Sequence, residues 1–292
     1  MDGQLVPIPI NLTTINKLYG KNLTSDEVVS FLASKAELRK PLLTSEDVVL
    51  NVVGKELYEK FFRGYIRKQW DLDPSELDAS VTARVPTRTN ADDRYFTDSL
   101  QAMPKNGYTE MFQTMLSHEN IHVMLNTNYK DIVDIIPHKK LIYTGPIDGY
   151  FDYQFGKLPY RSIHFQFELW IWKIIRKPEP SIIQLQIFIQ ELQNSSISRD
   201  KKHHKTAIVY EYPTAEADSY YPIPRNENQD IYNQYKKLAD DTPDVYFTGR
   251  LGTYKYYNMD EVVAQSLALF RKIIKEEMQY DSSSHLSSQV CI

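Results

Sequence analysis

Three aromatic rings, Phe61, Phe62 and Tyr65, fall close together at the end of a stretch with helical periodicity. That placement lets them bracket and stack on a flat heterocycle, with ordinary core packing as the alternative, favoured for Phe61 and disfavoured for Tyr65. Further on, Arg84 offers a planar, permanently charged fork that suits phosphate oxygens. A lone arginine is more often a solvated surface residue. The chain holds 21 tyrosines against 10 glycines. A tyrosine joins an apolar ring to a hydroxyl, so the enrichment suits a pocket that stacks on a base and donates to phosphate, although most single tyrosines line sheet faces. Val245-Tyr-Phe-Thr-Gly-Arg250, a loop, and a helix from Met259 read as strand, turn, helix. The unpaired N–H groups at that helix start are a natural place for an anionic or electron-rich ligand edge. The 7 histidines show no metal-ligand spacing, and His203-His204 sits in a lysine-rich turn, so no metal is expected. The sole cysteine, Cys291, rules out an intrachain disulfide or a cysteine dyad and fits a reducing cytoplasm.

The elements that must position these residues follow from pattern. A length of 292 residues with 42% hydrophobic content buries a sizeable core, in two domains or one large one. The net charge of −4 and pI near 6.0 give no reason to expect a nucleic-acid or membrane partner. No apolar run reaches the 18 or so residues of a spanning helix, and the opening lacks a signal-peptide pattern. A soluble, cytoplasmic protein is expected. Thr24-Ser-Asp-Glu27 is a capping box that opens a helix to about Lys35. Val49, Val52, Val53, Leu57 and Phe61 form a helical stripe between Ser45 and Arg63. Short apolar runs at Ile121–Leu125, Leu141–Thr144, Ala207–Tyr212 and Val245–Thr248 predict strands, and helices are predicted over Tyr108–Leu116 and Met259–Met278. The class is α+β: a mainly helical domain over residues 1–80, a mixed or antiparallel sheet domain over 81–280, and a polar tail over 281–292 expected to be disordered.

Several longer segments carry a family resemblance. Gly54-Lys-Glu-Leu-Tyr-Glu-Lys-Phe-Phe-Arg-Gly-Tyr-Ile-Arg-Lys-Gln-Trp70 is followed in order by Pro74-Ser-Glu-Leu77 and Arg84-Val-Pro-Thr-Arg-Thr-Asn-Ala-Asp-Asp-Arg-Tyr-Phe96. Tyr143-Thr-Gly-Pro-Ile-Asp148, Pro159-Tyr-Arg161, Tyr220-Tyr-Pro-Ile223 and Gly249-Arg-Leu-Gly-Thr-Tyr-Lys-Tyr-Tyr-Asn-Met-Asp260 continue the series. Together they resemble bacterial UDP-galactopyranose mutases, flavoenzymes that interconvert UDP-galactopyranose and UDP-galactofuranose. The resemblance implies that Phe62, Tyr65, Ile66 and Trp70 lie at the uridine and the mobile loop beside it, and that Arg84, Tyr95, Tyr221 and Tyr256 hold the pyrophosphate. It further implies that Asn258 lies near the sugar and that Arg250 and Met259 meet the cofactor. Arg84 and Asn258 are then the catalytic candidates, the cofactor is reduced FAD attacking the anomeric carbon through N5, the partner is UDP-galactose or UDP, and a homodimer is possible.

The chain also departs from the family pattern. Ile66 stands where Thr is usual, Asp71 where Gly follows the tryptophan, and Asn258 where many members carry Asp. The opening resembles an internal family segment, and no G-x-G-x-x-G occurs, so most of the Rossmann-like flavin-binding part is expected to be lacking from this chain. Residues 168–201 do not resemble the family, whereas codons can be chosen for residues 181–201 whose bases, read one base earlier, encode a family pattern. This reads as a frameshift, with a divergent insert as the alternative, and it removes the family's second phosphate-clamping arginine. Two further readings compete with an active mutase: a non-catalytic product of a decayed gene that keeps residual UDP binding, and a flavin amine-oxidase relative, which would not require the uridine and pyrophosphate residues.

Overall fold

The computed structural model describes residues 6–170, 192–194, 206–215 and 218–287. The frameshift reading therefore falls largely outside the described residues, which include only Glu168–Trp170 and Leu192–Asn194 of that segment. In chain order the helices of the first half are α1 (Leu12–Tyr19), α2 (Ser25–Lys35), α3 (Ser45–Leu57), a π-helical turn (Tyr58–Arg63), α4 (Gly64–Trp70), a 3-10 turn (Pro74–Glu76), α5 (Ser80–Ala83), α6 (Tyr108–Met115) and α7 (Tyr129–Ile132). There follow β1 (Leu141–Tyr143), α8 (Ile147–Tyr150), β2 (Tyr160–Trp170), β3 (Leu192–Asn194), β4 (Thr206–Thr214), β5 (Tyr221–Pro222), α9 (Asn226–Asp241), β6 (Val245–Phe247), α10 (Gly249–Gly252) and α11 (Met259–Ser287). The chain forms two compact units, residues 1–137 with 163–217, and residues 138–162 with 218–292. Helices continue past residue 80, through α5, α6 and α7, and the division between units falls after residue 137.

In the first unit α1, α2 and α3 each begin with a reciprocal cap. Asn11 with Thr14, Thr24 with Glu27 and Thr44 with Asp47 satisfy backbone donors that the helix itself leaves unpaired. The apolar stripes of α1, α2 and α3 meet in a core of Ile15, Val28, Leu32, Val49, Val53 and Leu57, which also receives Tyr58 and Phe61. At Gly54 (φ 74°) α3 kinks; a Cβ there would lie 1.9 Å from the Lys35 carbonyl oxygen. Only glycine fits that conformation beside that carbonyl. The strand expected at Ile121–Leu125 is absent: the segment is irregular, with Val123, Met124 and Leu125 exposed and no partner strand among the described residues. An apolar run becomes a strand only where another strand takes its hydrogen bonds. The runs expected at Leu141–Thr144, Ala207–Tyr212 and Val245–Thr248 are strands β1, β4 and β6. β4 pairs antiparallel with β3, Leu192 opposite Tyr210, and lies beside β2.

The second unit contains a two-stranded parallel ladder, β1 beside β6, with Ile142 opposite Tyr246. Its interior is rich in rings: Phe247 lies 4.9 Å from Tyr150 and 5.6 Å from Phe151, and Tyr235 and Tyr254 are buried nearby with Ile147 and Leu158. The start of β2 belongs here, with Tyr160 and Arg161 paired antiparallel to Pro222 and Tyr221. α11 holds on to β6 through polar contacts, the Tyr246 hydroxyl donating to Glu276 at 2.7 Å. Its stripe of Val263, Leu267 and Phe270 is exposed. The tail expected to be disordered from 281 instead continues α11 through Ser287, because a helix already formed extends without a new nucleation cost. Residues 288–292 lie outside the described residues.

Candidate functional site

The candidates of the first unit lie on the elements just after the Gly54 kink. Phe61 belongs to the core, and Phe62 is half-buried against it. Tyr65 is half-buried on α4, whereas Ile66 (3% exposed) and Trp70 (2%) are buried. Of the residues the resemblance assigns to the uridine and its loop, Phe62 and Tyr65 are thus partly accessible, and Ile66 and Trp70 are interior. Asp71, at the end of α4, is left-handed (φ 57°) and its N–H donates to the Arg67 carbonyl. Asp73 then accepts from Arg67 Nε at 2.9 Å and lies 3.6 Å from Arg63, which ties the end of α4 to the following turn.

Arg84 is the half-buried C-cap of α5. The loop that follows is held by Arg88, which the sequence reading passed over. Its backbone N–H donates to the Ile10 carbonyl at 2.9 Å, and its Nη2 donates to the Arg94 carbonyl at 2.7 Å. Asp92 accepts from both Arg94 Nε and Nη2 at 2.9 Å, which drives its carboxyl well below the usual carboxylate range. Leu12 N–H donates to the Asn90 carbonyl, so the loop is fastened to the start of α1. Tyr95 emerges from this loop half-buried, edge-on to Phe96 at 5.0 Å. The signal for this scaffold was present as alternating charge across Arg88, Asp92 and Arg94.

In the second unit the structure brings Tyr221, Tyr256 and Arg250 together. The Arg250 guanidinium lies 5.2 Å from the Tyr221 ring centroid and 4.9 Å from that of Tyr256, and the two rings meet edge to face at 5.2 Å. Arg250 Nε donates to the Tyr257 carbonyl at 2.9 Å, as does Nη2, and Nη1 reaches the Tyr220 carbonyl at 3.5 Å. α10, which carries Arg250, is anchored by Gly249 N–H donating to Gln265 of α11 at 2.8 Å and by the Tyr254 hydroxyl donating to the Pro159 carbonyl at 2.6 Å. Asn258 is half-buried before α11, and its N–H donates to Glu261 at 2.6 Å. Met259 is 68% exposed.

The same unit holds a buried acid that sequence reading quoted but gave no role. Asp148 is 2% exposed; its Oδ2 accepts from Leu158 N–H at 2.9 Å, and its Oδ1 has no hydrogen-bond partner among the described residues. Burial pushes this carboxyl upward, against the hydrogen bonds from Leu158 and Gly149. Burial and then the Asp148 charge push the Tyr160 hydroxyl upward in turn. No group of acids, histidines or cysteines among the described residues is arranged to hold a metal ion, and no described helix is long and apolar enough to cross a membrane.

A mixed helix-and-sheet chain with this arrangement has known counterparts. The profile of the UDP-galactopyranose mutase (GLF) family matches residues 60–256. A probable UDP-galactopyranose mutase of Klebsiella pneumoniae is 34% identical over 278 residues, 91% of this chain and 71% of that protein. The dTDP-fucopyranose mutase of Escherichia coli is 30% identical over 95% of this chain and 76% of its own. Among solved structures, one described as the crystal structure of reduced UDP-galactopyranose mutase shares the fold with a TM-score of 0.55 at 14% identity, over 80% of this chain and 66% of that one. The chain belongs to the UDP-galactopyranose mutase family, and by family it is an isomerase.

Proposed function

We propose that this chain binds the uridine diphosphate of a UDP-sugar in the service of the family's reaction, the interconversion of UDP-galactopyranose and UDP-galactofuranose. The observation that carries the proposal is the cluster of Tyr221, Arg250 and Tyr256, which sets two phenol rings beside one guanidinium. A pyrophosphate leaving group needs donors and positive charge fixed in advance, and that combination supplies both without a titrating residue. In the first unit, Arg84 and Tyr95 on the Arg88-braced loop are assigned to phosphate, and Tyr65 and Phe62 to the base. Asn258, an amide, is assigned to hydrogen bonding with the sugar and moves no proton.

In this family reduced flavin supplies the nucleophile, by the resemblance stated above. The described residues fit that cofactor poorly. At the start of α11 Glu261 accepts from the Asn258 N–H and Asp260 stands beside it, two acids that disfavour a dinucleotide pyrophosphate at that helix end, and the fork of Arg250 is engaged by the carbonyls of Tyr257 and Tyr220. Met259 remains as an exposed apolar contact.

Titration calorimetry with UDP tests the reading. The chain is expected to bind UDP weakly, and Arg84→Ala to weaken it further by about 1.5–3 kcal/mol, the worth of a charge-assisted hydrogen bond. Equal affinity in the two proteins removes Arg84 from the site. A second nucleotide belongs in the same experiment, since the E. coli relative is named for a dTDP-sugar. Tighter binding of dTDP than of UDP would move the assignment to a thymidine nucleotide.

A further inference from the structure

We infer that Arg250 is a positioning residue, a side chain that fixes Tyr221 and Tyr256 relative to each other, and that it acts on a bound diphosphate through those two hydroxyls. The inference rests on the proposed UDP reading for its effect on binding, but its structural content stands apart from it. Tyr221 lies on β5 and Tyr256 on the loop after α10, so neither element alone fixes their spacing. Arg250 reaches both in two ways. Its guanidinium lies over both rings, at 5.2 and 4.9 Å from their centroids. Its edge donates to the carbonyls of Tyr220 and Tyr257, the chain neighbours of those same tyrosines. One guanidinium thereby ties ring and backbone on each side, while Gly249 and Gln265 hold its own helix in place. A guanidinium does this because it stacks on its faces and donates along its edge; a lysine ammonium is a point charge on a flexible stem and does neither.

The test uses 3-fluorotyrosine incorporated at 221 or at 256, read by fluorine NMR on the ligand-free chain, together with UDP titrations. Arg250→Gln and Arg250→Lys are both expected to shift and broaden the two fluorine resonances, with the melting temperature recorded to show that the chain stays folded. Unmoved resonances in either folded variant would overturn the inference. For binding, Arg250→Gln is expected to weaken UDP about tenfold in the parent chain, as loss of one hydrogen bond does, and to add almost nothing in a Tyr221→Phe, Tyr256→Phe background. An additive loss there shows instead that Arg250 meets the phosphate directly. If the two phenylalanine substitutions leave UDP binding unchanged, the assignment of the tyrosines to phosphate fails, and the fluorine spectra alone decide whether Arg250 sets their geometry.

Discussion

A carboxyl whose burial outweighs its hydrogen bonds and the charge of Lys157 leaves a mark on the pH dependence of stability. Asp148 is held above its ordinary value of 3.8 chiefly by burial. The native state then keeps this proton more tightly than the unfolded chain does. The contribution to stability is complete below the unfolded value and is lost as pH rises through the folded one. Thermal melts of the parent and of Asp148→Asn between about pH 4 and pH 7 should show the variant gaining on the parent as pH rises. A constant difference across that range would show that the carboxyl titrates alike in both states. At this scale the sequence offered candidates by side-chain type and surrounding motif, Arg84, Tyr95, Tyr221 and Tyr256, of which the structure brings Tyr221 and Tyr256 together. What Arg250 does was hidden, because its partners are the carbonyls and ring faces of tyrosines on two elements, and no spacing rule reports a ring face.

Two turns of backbone decide how the elements around Tyr65 are aimed, and they respond to substitution in opposite directions. Gly54→Ala places a methyl group on the Lys35 carbonyl in a conformation reserved for glycine, and a loss of about 3 kcal/mol is expected in urea unfolding. Asp71→Gly should do the reverse. Asp71 occupies a left-handed helix cap, a conformation that glycine adopts without strain, so relieving its strain should add about 0.5–1 kcal/mol. A neutral or harmful Asp71→Gly would show that the aspartate gains more from its surroundings than it loses to strain. Capping boxes at Thr24 and the stripe from Val49 to Phe61 were readable because they depend on residues three or four apart. The irregular segment at Ile121–Leu125 was not, since strand pairing is decided by distant partners. The end of α11 was misread because a serine-rich composition reports average propensity, whereas a helix already under way can continue through poor formers.

The division of the whole molecule was the least legible, because β2 begins in one unit and ends in the other, and no change of composition marks the crossing at 162–163. The segment 168–201 bears on the whole site in sequence terms alone. Restoring the family frame across it supplies a second arginine, and UDP should then bind about tenfold more tightly, by one further charge-assisted bond. Unchanged affinity would mean that the present residues already do that work. The parallel ladder of β1 and β6 carries a different consequence. Each strand has an edge that no described strand occupies, and the Val263, Leu267 and Phe270 stripe of α11 is exposed in the same unit. Such surfaces govern colloidal behaviour more than fold: the edge recruits backbone from any neighbouring chain and the stripe shields the contact from water. Light scattering of the chain alone should rise steeply with concentration, and Leu267→Lys with Phe270→Lys should keep it monodisperse, so the solubility of this chain is set at a face remote in sequence from Arg84 and Tyr65.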